Sequence, residues 1–174
     1  FEVPETPADD DAAWADLQAE GIDLALVPSE GRRKRLLIAD MDSTLIRQEC
    51  IDELAEVAGV GAHVREITAR AMNGELDFEG ALTERVALLE GLDHGVIDRV
   101  LAERITHMPG GATLAATMRA AGAHTLLVSG GFTAFAEPVA AALGFDEAQA
   151  NVLEAEAGRL TGAVRPPILG RDAK

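Results

Sequence analysis

Apolar positions along this chain follow two different periods, and the switch between them outlines the fold. Leu36-Leu37-Ile38-Ala39 is a run of four apolar residues set between Arg32-Arg33-Lys34-Arg35 and Asp40. A short bounded run of this kind predicts a strand buried on both faces, as in a parallel sheet. From residue 46 to residue 107 the spacing becomes helical. Ile51, Leu54, Ala55 and Ala58 share one face, and Gly59 supplies a stop. Val64, Ile67, Ala71 and Met72 repeat the pattern, closed by Asn73-Gly74. Asp77 caps a stripe of Phe78, Leu82, Val86 and Leu89 that ends near Gly91. Asp93 caps a fourth helix carrying Val96, Val100, Leu101 and Ile105. Four amphipathic helices with short connections predict a small bundle, placed to cover a site as a lid.

Met108-Pro109-Gly110-Gly111 breaks the helical period and returns the chain to a sheet. A helix over 112–121 ends at Gly122, and Thr125-Leu126-Leu127-Val128 forms a second apolar strand. Ser129-Gly130-Gly131-Phe132 then turns into a helix from Thr133 to Leu143, where Pro138 is tolerated only near the first turn. Residues 150–164 read as a β-hairpin, with Asn151–Ala155 and Leu160–Val164 flanking Glu156–Arg159. At the front, Pro4, Pro7 and Asp9-Asp10-Asp11 make a loose acidic lead. A short helix (Ala12–Ala19), a short strand (Ile22–Val27) and a linker (28–31) follow. The predicted class is α/β: a Rossmann-like parallel sheet core with an inserted four-helix cap and a β-hairpin. The expected divisions are an accessory segment and linker over 1–31, a core over 32–46 and 108–174, and a cap over 47–107. Phe1 in place of Met leads us to expect that the beginning is missing, and two convincing core strands are too few for a complete sheet.

Candidate chemistry starts at Asp40 and Asp42. Side chains alternate along extended backbone, so both carboxylates point to one side where the first strand ends. In open α/β sheets ligands bind at that end. Such a pair suits a nucleophile or metal ligand beside a proton donor. It reads equally as a surface turn, since Asp and Ser favour turns. The second strand changes the balance. Ser129-Gly130-Gly131 offers a hydroxyl, close backbone approach and a helix N-terminus, which together suit an anion such as phosphate. Two anions at one site call for a hard, oxygen-ligated cation such as Mg²⁺. Lys174 adds positive charge if the tail folds back.

The formal net charge of −15 argues against nucleic acid or an anionic membrane as partner. Hydrophobic residues at 48% and charged residues at 26% describe a chain able to bury a core. Aromatics at 3% require that core to be built from Ala, Leu, Val and Ile. Cys50, the single cysteine, cannot form an internal disulfide, which fits a reducing cytoplasm, and reads as a small buried apolar residue. No run of about 18 apolar residues and no signal-peptide pattern occurs. His63, His94, His107 and His124 lack paired ligand spacing and read as surface or capping residues.

Asp40-Met41-Asp42-Ser43-Thr44 resembles the first motif, Asp-x-Asp-x-Thr, of the haloacid-dehalogenase superfamily of phosphatases and phosphotransferases. Ser129 resembles the second motif and Lys174 the third. Within the superfamily the chain is most similar to the phosphoserine phosphatases. That likeness rests on Glu49, residues 71–78 and 82–86 of the insertion, Val128–Phe132 and Gly158–Gly162, and it covers about Arg35 to Lys174. It implies that Asp40 attacks phosphorus while Mg²⁺ bridges its carboxylate and the phosphate. Asp42 would serve as general acid and then general base, and would ligate the metal through its carbonyl. Ser129, the Gly130 amide and Lys174 would hold phosphoryl oxygens. From the cap, Glu49 would read the substrate ammonium and Arg85 its carboxylate, with Met72 lining the pocket. Without the likeness, Glu49 and Arg85 read as solvated helix charges and Met72 as core.

The superfamily's fourth motif, Gly-Asp-Gly-x-Asn-Asp, is absent from the 174 residues. We therefore expect a longer enzyme, and little Mg²⁺ binding or turnover from these residues alone. The expected activity is hydrolysis of O-phosphoserine through an aspartyl-phosphate, the last step of serine biosynthesis, in the cytoplasm. A phosphatase for another small phosphomonoester, such as phosphohomoserine, remains open. So does a catalytically silent binding or regulatory module of the same fold. The likeness leaves a homodimer open.

Overall fold

The computed structural model describes residues 12–22, 28 and 30–170. The chain divides into two compact units at Lys34/Arg35. In the first unit, helix α1 (Ala12–Ala19) forms as its sequence suggests. The acidic lead, and the strand expected over Ile22–Val27 beyond its first residue, lie outside the described residues.

The second unit is built on a three-stranded parallel sheet in the order β1 (Leu36–Ala39), β2 (His124–Phe132), β3 (Glu147–Asn151). Between β1 and β2 come four helices: α2 (Cys50–Ala58), α3 (Gly61–Met72), α4 (Phe78–Ala87) and α5 (Val96–Glu103). The chain re-enters the sheet through α6 (Gly111–Ala120), and α7 (Thr133–Leu143) joins β2 to β3. The antiparallel hairpin β4 (Leu153–Glu156) and β5 (Arg159–Val164) follows.

Local chemistry accounts for most helix ends. Gly59 stops α2 at φ 75°, and its N–H and that of Val60 close onto Glu56 and Ala55 carbonyls. Asp77 starts α4 by accepting the Gly80 N–H at 2.8 Å. Asp93 acts one step earlier than expected. Its carboxylate accepts the Gly95 N–H at 2.9 Å, two residues on, so it shapes the approach while Gly95 occupies the cap position. Pro138 sits at the sixth residue of α7, just past the first turn, where the helix forgoes the bond to the Ala134 carbonyl.

Three strand expectations change. β1 is not buried on both faces: among the described residues it lies at the edge of the three strands, and Leu36 is 49% and Ile38 44% exposed. β2 continues through Ser129-Gly130-Gly131 to Phe132, so this stretch is an irregular strand end rather than a turn. β3 takes Glu147–Asn151, and the hairpin starts at Leu153 instead of Asn151.

One buried cluster unites sheet and insertion. Leu127, Phe132 and Phe135 from the sheet side meet Leu54, Val86, Leu89 and Ile97 from the helices. Leu54 is fully buried, so Leu54→Ala is expected to cost about 3 kcal/mol of stability through lost transfer energy and the cavity left behind. Urea denaturation with an unchanged slope would check it. The two connections into the insertion pair with each other. Arg47 N–H donates to Thr106 O at 3.0 Å, and Met108 N–H donates to Leu45 O at 2.8 Å. Ile46 and His107 form an antiparallel bridge between them.

Candidate active site

At the carboxyl ends of β1 and β2, facing the insertion, lies a cavity of about 300 Å³. Asp40, Asp42, Glu49, Arg85, Ser129 and Gly130 all line it. Six of the eight residues singled out in the sequence therefore converge from four different stretches of chain. Met72 does not join them. It is the last residue of α3, where no further helical turn covers it, and it is 84% exposed outside the cavity lining. Lys174 lies outside the described residues.

Asp40 directly follows β1, and its Oδ1 accepts the N–H of Met41 at 2.9 Å. The chain then folds tightly, with the amides of Leu45 and Ile46 closing onto the Met41 carbonyl at 2.9 and 3.1 Å. This loop delivers Asp42 to the start of α2. There its Oδ1 accepts the Cys50 N–H at 2.8 Å, one of the helix-opening amides that has no partner inside the helix. The helix end also favours a negative charge at that place. The other oxygen, Oδ2, accepts the Ser129 hydroxyl at 3.2 Å. Asp42 thus ties the sheet to the first helix of the insertion, and Cys50 is buried beneath the contact.

Ser43 adopts a left-handed backbone at φ 52°, uncommon for a residue with a side chain. Its hydroxyl donates to Glu49 Oε1 at 2.6 Å. Burial pushes the Glu49 carboxyl above the usual range, and the Ser43 hydrogen bond pulls it back in part. Burial likewise raises Asp52, with the Arg85 charge opposing. The Arg85 guanidinium is lowered first by desolvation, against the stabilising charges of Asp52 and Glu49. Arg85 Nε donates to the Ala81 carbonyl at 3.1 Å, which fixes the stem of the side chain along α4. Among the described residues no carboxylate forms a direct ion pair with it, so its fork is available to an incoming anion.

On the sheet side Ser129 is 2% exposed and its Oγ accepts the Gly131 N–H at 2.8 Å. A side chain at either following position would have to displace a residue of the cavity wall. A Cβ on Gly130 would lie 2.9 Å from the Phe78 ring, and one on Gly131 would lie 2.7 Å from Asp42 Oδ2.

Two residues here escaped the sequence reading. Phe78, read from the sequence as part of an apolar stripe and of the 71–78 likeness but given no role at the site, reaches the cavity against Gly130 and Gly170. Asn151, assigned to a hairpin, is 2% exposed, and its Nδ2 donates to Gly130 O at 2.9 Å. Its amide group also exchanges bonds with Leu169, at 2.7 Å to the N–H and 3.2 Å to the carbonyl. The available signal was an amide side chain at the end of an Ala-rich run, where a buried polar group must find partners.

Asp40 and Asp42 offer hard oxygen donors to one face of the cavity, which fits a cation of the Mg²⁺ type. Among the described residues no cluster of three or more His, Cys, Asp or Glu side chains is arranged for a metal. No described helix is long and apolar enough to cross a membrane.

Residues 37–174 match the haloacid dehalogenase-like hydrolase family. The chain is 48% identical over 159 residues to a phosphoserine phosphatase of Streptomyces coelicolor, covering 90% of this chain and 38% of that protein. It is 44% identical over 156 residues to the phosphoserine phosphatase of Archaeoglobus fulgidus, covering 88% and 45% respectively. The chain thus spans less than half the length of these curated relatives. Among solved structures, a phosphoserine phosphatase in the form of a phospho-aspartyl intermediate analogue superposes with a TM-score of 0.70 at 39% identity, over 76% of this chain and 63% of that one. An unliganded probable phosphoserine phosphatase from Vibrio cholerae gives 0.65 at 39% identity, over 79% and 42%. With a parallel sheet, four helices between its first two strands and the aspartate pair at the strand end, the chain belongs to the haloacid dehalogenase-like hydrolase family.

Proposed function

We propose that this chain carries the nucleophile and the substrate pocket of a magnesium-dependent phosphoserine phosphatase. The observation that supports this most is the convergence of Asp40 and Asp42 with Glu49 and Arg85 on one cavity. The first pair suits phosphoryl chemistry, and the second suits the ammonium and carboxylate of an amino acid. The relatives named above support the same substrate.

Asp40 attacks the phosphorus as the bond from phosphorus to the serine oxygen breaks, leaving an aspartyl-phosphate. Asp42 gives its proton to the departing oxygen, then takes one from the water that hydrolyses the acyl phosphate. The Cys50 N–H bond holds the Asp42 carboxyl group in place through both steps, protonated for the first and ionised for the second. The single Ser129 O–H, which donates to Asp42 Oδ2 in this structure, turns to a phosphoryl oxygen when phosphate binds. Ser129, the Gly130 amide and Lys174 hold the phosphoryl oxygens. The Asp40 carboxylate and the Asp42 carbonyl would hold Mg²⁺, which when bound offsets the charge shared by carboxylate and phosphate. The four-helix insertion acts as the lid, shielding the phosphoryl transfer from bulk solvent and leaving room for the one water that Asp42 activates. The proposed setting is the last step of serine biosynthesis, in the cytoplasm. Phosphate release from phosphoserine by the purified full-length protein, with and without Mg²⁺, tests the reading, and no release from that protein in either condition would refute it.

The state of Glu49 gives a second test. Only the carboxylate form attracts an ammonium, and burial has raised this group. As pH falls through its raised pKa, the KM for phosphoserine is therefore expected to climb, beginning at a higher pH than for an exposed glutamate. In Ser43→Ala the lowering hydrogen bond is lost, and the climb is expected to begin at higher pH still. A phosphomonoester without an amine serves as reference. If the inflection relative to that reference stayed put in Ser43→Ala, the Ser43 assignment would fail.

A further inference from the structure

The β4–β5 hairpin follows β3 in sequence and so belongs to the sheet half by chain order, but its hydrogen bonds go elsewhere. Gly91 N–H donates to Leu160 O at 2.8 Å, and Leu160 N–H donates to Leu92 O at 2.9 Å. His94 N–H donates to Gly158 O at 2.8 Å. The Arg159 guanidinium donates to Gly91 O at 2.7 Å, and Asp93 and Arg159 form an antiparallel bridge. Among the described residues, every hydrogen bond that leaves 153–164 for another part of the chain ends on 91–94 of the insertion. Within the hairpin, Thr161 Oγ1 donates to Glu154 O.

Packing agrees with the bonding. β5 lies against the C-terminal end of α4, where a Cβ on Gly162 would meet Glu90 at 3.0 Å and the Ala87 backbone at 3.3 and 3.4 Å. Gly162 also takes φ 78°, which a side chain would strain. Leu160 is 2% exposed inside this contact. At its base the two ends of the hairpin are joined to each other, directly after β3. Arg165 N–H donates to Val152 O at 2.9 Å, next to Asn151, whose side chain binds Gly130 and Leu169.

We propose that the hairpin is a moving arm of the lid, bonded to 91–94, packed on the end of α4 and pivoting at Val152/Arg165. α4 carries Phe78, Leu82 and Arg85 into the cavity. Whatever moves that helix moves the hairpin with it, because four hydrogen bonds would otherwise have to break together. The motion is transmitted to a base that borders Asn151 and the segment ending in Leu169-Gly170. The hairpin thereby links the substrate-reading helix to the backbone of the phosphate side. This inference rests on the lid reading of the insertion, though not on the identity of the substrate.

Nitroxide pairs test it in the purified full-length protein, with buried Cys50 left in place. Exposed positions are Glu156→Cys on the hairpin, Glu66→Cys on α3 and Ala116→Cys on α6. The probe is inorganic phosphate with Mg²⁺. On its addition, the 156–116 and 66–116 distances are expected to shift together while the 156–66 distance keeps its mean. A shift in 156–66 with 156–116 fixed would overturn the proposal, and so would no shift in any pair. Gly162→Ala is expected to widen the 156–66 distribution at least twofold. Should that variant not fold, Arg159→Ala is expected to widen it to a lesser degree, and an unchanged distribution there overturns the coupling. If phosphoserine is not turned over but the two core distances still shift together, the substrate reading fails and the moving arm stands.

Discussion

Asp40→Asn is expected to lower phosphate release from phosphoserine by about 10⁴-fold or more, with the fold intact. The side chain sits where β1 ends, on the cavity wall opposite the insertion, and its Oδ1 accepts the adjacent Met41 N–H. An asparagine keeps the shape and an acceptor oxygen for that amide. It loses the negative charge needed to attack phosphorus and to help hold a cation, so the loss falls on chemistry rather than on folding. Thermal denaturation within a degree or so of the parent, combined with lost turnover, would support the nucleophile assignment. Retained turnover would remove Asp40 from that role, and a collapse in stability would show that the pair is structural.

Arg85→Ala is expected to act on one class of substrate. Arg85 is held along α4 by its Nε bond to Ala81 O, and its remaining donors face the cavity without a direct carboxylate partner among the described residues. A planar fork meeting a substrate carboxylate forms two charge-assisted bonds. Losing them is expected to cost about 3 kcal/mol, roughly 10²-fold in kcat/KM for phosphoserine. An aryl phosphate has no carboxylate to lose, so its kcat/KM should change by only about twofold. Equal losses on the two substrates would reject the carboxylate-reading role. Arg85→Lys is expected to recover only part of the loss, because an ammonium presents a point charge rather than a fork.

The sequence made some features legible because they depend on near neighbours. The four helices of the insertion follow from apolar spacing and from stops such as Gly59. The placement of Asp40 and Asp42 follows from a short apolar strand that ends just before them. β3 was hidden because Glu147-Ala148-Gln149-Ala150-Asn151 has no apolar run, and pairing with β2 makes it a strand. Exposure of Leu36 and Ile38 was equally hidden, since among the described residues β1 lies at the edge of the three strands. Asn151 and Phe78 owe their places at the site to contacts with Gly130, distant in sequence. Met72 shows the opposite failure: its helical spacing and its family motif both pointed inward, and the end of α3 left it in solvent.

The paired connections at 45–48 and 106–108 bring the two ends of the insertion side by side. An insertion whose ends touch can be exchanged by recombination without displacing the strands that flank it. Asp40 and Ser129 lie outside the exchanged stretch, whereas Glu49, Phe78 and Arg85 lie inside it. Replacing the helices between these ends would therefore retarget the proposed phosphoryl chemistry to another leaving group. The condition is set by the shared core. A foreign insertion would have to bring an apolar face matched to Leu127, Phe132 and Phe135, so compatibility of packing decides which exchanges succeed.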